Sequence, residues 1–82
     1  MYRIRTHDQA REAVSALPGE ALVGYAEALG MLKLFPWSGP PFREDNPDGN
    51  IRTLSFGSGG LVTYLVLERD QEVHVLEVQW VS

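Results

Sequence analysis

The first part of the chain alternates between apolar and polar residues and then changes to helical spacing. In residues 2–6, Tyr2, Ile4 and Thr6 share one side, and this alternation predicts a short, half-buried strand. Thr6 also stands three residues before Gln9, which is the spacing of a capping box at the start of a helix. The apolar residues that follow at i, i+3, i+4 and i+7 are Ala10, Ala13, Val14 and Leu17. They predict a small amphipathic helix.

A second helix is predicted from Gly19 to about Leu34. Pro18 is unsuited to a helix interior but suited to the residue that opens a new helix. The apolar residues expected to face the core at helical spacing are Leu22, Tyr25, Leu29 and Leu32, with Ala21 and Ala28 beside them. The two helices then form a helical hairpin that packs on strand residues such as Ile4 and Leu65.

Residues 35–50 contain four prolines and two glycines, a composition that predicts a long connecting loop without a regular element. Loops of this length are uncommon in small domains unless they are functional or held down by their own side chains. Phe35, Trp37 and Phe42 are the side chains available for that packing.

The remaining sequence predicts three strands, at residues 51–56, 61–68 and 73–81, separated by a glycine-rich turn and a polar turn. The middle strand is apolar on both faces, so it should lie inside the sheet, with Tyr64 as a core residue. We therefore predict a single two-layer α+β domain over residues 1–82. It consists of an N-terminal strand, a helical hairpin on one sheet face, and a three-stranded antiparallel meander.

Composition is that of an ordinary globular protein, with 44% hydrophobic and 22% charged residues among 82. Cysteine is absent, which excludes disulfides, thiolate metal sites and thiol nucleophiles. The chain shows neither a signal-peptide pattern nor an apolar run of about 20 residues. We therefore expect a cytoplasmic protein that does not enter a membrane.

Charge narrows the functional classes further. Eleven acidic and seven basic side chains give a net charge of −4, whereas proteins that bind nucleic-acid backbones without sequence preference usually carry a basic excess. Such binding is disfavoured for the chain as a whole. A local basic patch remains compatible with these numbers, because the field at a site depends on charges within about 8 Å.

The order of elements and a series of short motifs resemble the RelE/ParE superfamily of bacterial type II toxin–antitoxin systems. The matching segments are residues 10–18, 29–36, Gly39-Pro40, Ile51-Arg52-x-Leu54, the glycine turn, Leu61-Val62-x-Tyr64 and residues 73–78. The resemblance implies the RelE/ParE-like fold and a cognate antitoxin as partner. Ribonuclease members of the superfamily cleave messenger RNA in the ribosome, and ParE-like members inhibit DNA gyrase.

The resemblance places Arg52 at the common strand arginine of the superfamily. The cation that usually precedes the V-x-Y segment would fall near Gly60 or Leu61, which carry no charge, and the basic C-terminal tail is missing. The implied function is a toxin component with a RelE-like ribosome-dependent mRNA endoribonuclease scaffold of weak or altered activity. The alternatives are a catalytically degenerate protein-binding module and a ParE-like gyrase inhibitor.

Three residues are candidates for catalysis: Arg52, His74 and Glu77. Arg52 suits phosphate binding, or else a salt bridge to a cross-strand carboxylate, Glu68 or Glu77. His74 suits proton transfer, although strict alternation would place it with Leu76, Val78 and Trp80 as a partly buried structural residue.

By the same alternation, Glu77 interrupts an apolar face, where its carboxylate either lies at the rim facing water or pairs with Arg52 or Arg5; a general-base role is a further alternative. Trp37 and Trp80 suit base stacking, anchoring of the loop and of the C-terminal strand, or contact with a protein partner. The two histidines are far apart in sequence, and GSGG at residues 57–60 does not precede a helix. We therefore predict neither a metal nor a cofactor.

Overall fold

The structure, a computed structural model, describes residues 1–81 and contains a four-stranded mixed sheet and two α-helices. The strands are β1 (Arg3–Thr6), β2 (Ile51–Phe56), β3 (Gly60–Leu67) and β4 (Glu72–Trp80). The helices are α1 (Asp8–Ser15) and α2 (Gly19–Leu34), and a short 3₁₀ helix follows at Pro36–Ser38. The predicted α+β class and order of elements are confirmed. Within residues 1–81, no helix has the length and apolar character needed to cross a membrane.

The strand order is β1-β4-β3-β2, with β1 parallel to β4 and the other neighbours antiparallel. The interior position predicted for β3 is therefore confirmed, and β4 is interior as well. The helical hairpin and the loop after it connect β1, at one edge of the sheet, to β2, at the other.

Helix α1 begins later than the capping-box spacing predicts. Thr6 is the last residue of β1, paired with Val75, and the backbone N–H of His7 donates to the Val75 carbonyl at 3.0 Å. His7 is therefore the N-cap, and its side chain makes no capping hydrogen bond. Strand pairing fixes Thr6 in the sheet, so it is not available as the cap. Helix α2 begins at Gly19, as predicted.

A β-bulge in β4 changes which of its residues face the helices. Thr63 of β3 pairs with Glu77, but the next residue, Tyr64, pairs with Val75, so Leu76 is an extra residue in β4. A bulge of this kind shifts the phase of alternation by one position. Val73 and Val75 are buried before the bulge, and Val78 is buried after it; the half-buried Trp80 also packs against the core. The faces predicted for His74 and Glu77 from strict alternation are wrong, because both lie opposite this core face.

One core cluster joins the helices to the sheet. Its buried members are Ala10, Leu17, Ala21, Tyr25, Ala28, Leu32, Phe56, Val62, Tyr64, Val66, Val73, Val75 and Val78. Two predicted core residues lie elsewhere. Leu22 is 41% exposed, because the buried stripe of α2 runs through Ala21 and Tyr25. Leu65 pairs with His74 on the opposite sheet face.

The small residues of α2 permit close packing against the sheet. A Cβ atom at Gly24 would lie 2.9 Å from the backbone nitrogen of Gly57 in the β2–β3 turn. Gly57 itself has a φ of +58°, a conformation that glycine adopts without a steric penalty. These two glycines therefore let the helix approach the turn.

Polar contacts hold the loop between α2 and β2 against the sheet. The Thr53 N–H donates to the Pro40 carbonyl at 3.0 Å, and the Phe42 N–H donates to the Ile51 carbonyl at 2.8 Å. The predicted anchoring by aromatic side chains is wrong for Phe35 and Phe42, which are both exposed. Backbone hydrogen bonds take over that role along the free edge of β2.

We predict that the chain without Leu76 retains the fold. Deletion of this residue places Val73, Val75, Val78 and Trp80 at every second position of a regular strand, so the core face keeps its apolar residues. The free energy of unfolding should change by no more than about 2 kcal/mol, measured by chemical denaturation. Leu76→Ala is the matched control, because it removes the side chain but keeps the bulge. Loss of cooperative unfolding in the deletion variant alone would contradict this interpretation.

Candidate functional site

Arg52 lies on the helix-facing side of the sheet, not on the open face. It pairs with Tyr64, and directly opposed residues project to the same face. Its guanidinium donates from Nε to the Gly49 carbonyl at 3.2 Å, from Nη1 to the Gly39 carbonyl at 3.0 Å, and from Nη2 to the Pro47 carbonyl at 2.8 Å. The arginine therefore binds three backbone carbonyls of the preceding loop.

Trp37 adds a second contact to this arginine. The Arg52 Cζ atom lies 4.9 Å from the centre of the Trp37 ring, a distance suited to a cation–π interaction. The Trp37 indole N–H donates to Glu68 Oε2 at 2.8 Å, and the Tyr2 hydroxyl donates to the same oxygen at 2.6 Å. These two hydrogen bonds hold the pKa of Glu68 below its usual value, and the bond from Tyr2 has the larger effect. Glu68 thus pairs with Tyr2 and Trp37, and Arg52 forms neither of the two predicted salt bridges.

Tyr64 is a core residue, as predicted. Its side chain is fully buried and its hydroxyl donates to the Pro36 carbonyl at 2.7 Å. Burial raises the pKa of Tyr64 above its usual value, and a hydrogen bond that its oxygen accepts from the Gly39 backbone, together with the nearby Arg52 charge, offsets this only in part. The phenol therefore fixes the start of the loop that Arg52 holds further along.

His74 lies on the open face at the junction of β1 and β4, where it belongs to a hydrogen-bonded series of side chains. Its Nδ1 is 3.1 Å from Nε2 of His7, and its Nε2 is 3.0 Å from Oε1 of Glu72. The two imidazole rings meet edge to face, with centroids 5.2 Å apart. An ionised carboxylate can only accept hydrogen bonds, so the nitrogen of His74 that contacts Glu72, Nε2, carries the proton. The Glu72 carboxylate thereby fixes the tautomer of His74.

Glu72 connects this histidine pair to two arginines. Its Oε2 lies 3.1 Å from Arg3 Nη2 and 3.3 Å from Arg5 Nε. The hydrogen bond from His74 lowers the pKa of Glu72 most; burial opposes this effect, and both arginines lower the pKa further. The carboxylate side chain is only 14% exposed. We name the set Arg3, Arg5, His7, Glu72 and His74 the β1–β4 cluster.

The sequence pattern did not identify four of these five residues. Arg3 and Arg5 do alternate along β1, but the cluster forms only because β1 runs parallel to β4 with Arg3 opposite Glu72 and Arg5 opposite His74. The two strands are separated by most of the chain, so the sequence pattern does not predict which of their residues pair.

Glu77 is exposed on the open face beyond the bulge, where its partner in β3 is Thr63. Within residues 1–81 its carboxylate has neither a hydrogen bond nor an ion pair. The structure therefore brings His74 and Glu77 to one face and places Arg52 on the other. Among residues 1–81, no group of three or more histidine, aspartate or glutamate side chains is arranged so that it could hold a metal ion.

Comparisons with solved structures identify the fold. A chain of the RelBE2 toxin–antitoxin complex from Mycobacterium tuberculosis superposes with a TM-score of 0.81 at 23% identity, covering 98% of this chain and 91% of that one. The isolated RelE toxin from Escherichia coli gives 0.82 at 14% identity, covering 100% and 86%. A chain of the intact E. coli RelBE complex gives 0.78 at 15% identity, covering 100% and 99%. The fold is therefore RelE-like. No family model and no curated protein matches the sequence.

We predict that Arg52→Ala destabilises the protein. Three loop carbonyls lose a charged donor, and hydrogen bonds to charged groups contribute about 1.5–3 kcal/mol each before any rearrangement or rehydration. We expect a net loss of about 1–3 kcal/mol in the free energy of unfolding, measured by urea denaturation. Arg43→Ala is the control, because Arg43 pairs with Asp45 at an exposed site and such pairs contribute about 0–1 kcal/mol. Equal effects of the two substitutions would show that the carbonyl contacts do not hold the loop.

Proposed function

We propose that the chain is the toxin component of a bacterial type II toxin–antitoxin system, bound by a cognate antitoxin in the cytoplasm. The observation that carries this proposal is the RelE-like fold over nearly the entire chain. Two of the matching structures are toxin–antitoxin complexes, and a third is E. coli RelE bound to a peptide of the antitoxin RelB.

Ribosome-dependent cleavage of messenger RNA by this chain should be weak or altered. Cleavage requires that a 2′-hydroxyl loses a proton and that the charge at phosphorus is stabilised in the transition state. Arg52, the arginine expected to supply that charge, donates to three loop carbonyls instead. Its guanidinium would have to leave the loop in order to bind a phosphate.

The open face of β2 and β3 offers no substitute for this cation. By the observed register, the residues of these two strands that project to the open face are Ile51, Thr53, Ser55, Leu61, Thr63, Leu65 and Leu67. None of them is charged. The absence of cationic side chains from this surface supports low phosphoryl-transfer activity there.

An exposed apolar surface at the end of α2 supports a protein partner. Leu34, Phe35 and Met31 are exposed and, with Tyr2 and Trp37, line an open groove. Clustered exposed aromatic and aliphatic side chains of this kind mark interaction sites in soluble proteins. The same surface favours the second candidate function, a catalytically degenerate protein-binding module. In such a module Arg52 is not needed for catalysis, which agrees with its hydrogen bonds to the loop carbonyls.

We predict little or no codon-dependent cleavage when the chain is expressed in a bacterial host, because loss of one stabiliser of transition-state charge lowers rates about 100- to 1000-fold. The measurement is the mapping of messenger RNA ends after induction. His74→Ala and Glu77→Ala should leave the result unchanged. Strong cleavage that either variant abolishes would contradict the proposed weak activity. Growth arrest without cleavage would indicate a protein target, and gyrase supercoiling would then be measured with purified protein.

We also predict that the product of a neighbouring short reading frame co-purifies with this chain in a stable complex. Substitution of exposed apolar residues, Phe35→Ser together with Leu34→Ser, should weaken the complex at least tenfold, measured by calorimetry. Val23→Ser is the control, because Val23 is equally exposed on α2 but does not line this groove. An unchanged affinity would exclude the groove as the binding surface. Failure of any neighbouring product to bind would contradict the toxin assignment.

A further inference from the structure

We propose that the β1–β4 cluster is a phosphate-binding site whose affinity depends on a proton bound by its histidine pair. The inference does not rest on the toxin assignment, and it concerns a different part of the open face from the uncharged surface of β2 and β3. It follows from the donors, the shared proton and the charge balance of the cluster.

Two arginines supply the donors. Arg3 and Arg5 project from the same face of β1, two residues and therefore about 7 Å apart. Their side chains are 67% and 61% exposed, and each shows a single contact to Glu72 Oε2. A guanidinium carries five N–H donors in a planar fork that fits phosphate oxygens. Several donors of both side chains therefore remain directed to solvent.

The histidine pair has one nitrogen ready to accept a proton. If His74 Nε2–H donates to Glu72, then His74 Nδ1 is an acceptor and receives the Nε2–H of His7. The Nδ1 of His7 is left with a free lone pair and makes no hydrogen bond within residues 1–81. A proton added there leaves both existing hydrogen bonds intact. A second proton, on His74 Nδ1, would face the His7 N–H and break the pair.

The charge of the β1–β4 cluster depends on the protonation of its histidines. Strand β1 contributes Arg3 and Arg5 and β4 contributes Glu72, so two arginines and one carboxylate give +1 when both histidines are neutral and +2 with a proton on His7. Strand β3 contributes only Leu65 and Leu67 opposite β4. Five carboxylates and two arginines surround the cluster on α1, the β3–β4 turn and β4: Asp8, Arg11, Glu12, Glu68, Arg69, Asp70 and Glu77. A proton on His7 therefore strengthens the positive charge of the cluster against these acidic surroundings.

Because the proton and the anion favour each other's binding, affinity should rise as pH falls through the range in which histidine changes charge, about pH 5–8. Uptake of one proton on binding corresponds to a tenfold change in affinity per pH unit at most. Glu72 competes with the anion for both arginines, so its removal should strengthen binding at the upper end of this range.

Sulfate is a suitable probe, because it is tetrahedral and does not titrate between about pH 5 and 8, where histidine does. The chain contains only two histidines, so their ring resonances in NMR spectra report binding without ambiguity. We expect saturable shifts of the His7 ring and of the Arg3 and Arg5 side chains, with affinity rising about tenfold per pH unit over part of that range. Shifts that do not saturate, or an affinity independent of pH, would overturn the proposal.

Three variants test the separate parts of the argument. His7→Gln should remove the pH dependence, and Glu72→Gln should bind sulfate several-fold more tightly at the upper pH limit. Arg43→Gln, which lies in the loop between α2 and β2, should match the unsubstituted chain at every pH. Weaker sulfate binding by a folded Glu72→Gln variant, or retained pH dependence in His7→Gln, would refute the site.

A short single-stranded RNA distinguishes the source of the phosphate. If the site binds a polynucleotide backbone, the RNA should displace sulfate at least tenfold more effectively than a mononucleotide. If it binds a free oxyanion, the two should compete equally. Failure of both to displace sulfate from His7 would overturn the assignment to phosphate chemistry.

Discussion

One extra residue in β4 determines the character of both faces of the sheet. Without the bulge at Leu76, strict alternation from Val73 would turn Glu77 toward the helices and Val78 away from them. With it, the apolar residues on both sides of the bulge face the core, and His74 and Glu77 share the open face. A single irregularity in backbone pairing therefore decides which apolar residues β4 adds to the core. It also decides where the polar side chains of β4 lie.

Much of the architecture was predictable from the sequence, because it depends on local patterns. Helical spacing located both helices, Pro18 located the start of α2, and apolar character on both faces placed β3 inside the sheet. The features that were not predicted depend on pairing between distant segments. The bulge at Leu76 follows from the fit to β3, and the burial of Ala21 rather than Leu22 follows from where α2 touches the sheet.

The candidate site was predictable only in part, for the same reason. His74 was identified by residue type, but His7, Glu72 and the two arginines beside it come together only through the parallel pairing of β1 with β4. Arg52 was identified from the family resemblance, yet its environment is set by a loop of irregular structure. A sequence pattern that shows where an arginine lies does not show that backbone carbonyls already occupy its donors.

Arg52 and the β1–β4 cluster use the same residue type in different ways. At Arg52 the guanidinium is satisfied by carbonyls and an aromatic ring, so its charge stabilises the loop between α2 and β2. At Arg3 and Arg5 a single carboxylate oxygen serves two guanidiniums that remain largely in solvent. The first arrangement contributes to folding, and the second leaves donors available for a ligand. The chemistry of this chain is therefore better sought at its β1–β4 edge than at the arginine that its family resemblance indicates.

The parallel pairing of β1 with β4 also determines how the molecule would respond to mechanical load. Tension between the start of β1 and the end of β4 runs along both strands in opposite directions, so the interstrand hydrogen bonds are loaded together in shear instead of opening one at a time. The ion pairs of Glu72 with Arg3 and Arg5 cross the same boundary and would have to break in the same event. A protease that unfolds its substrates by pulling from the β1 end would therefore meet this boundary before it reaches the helices.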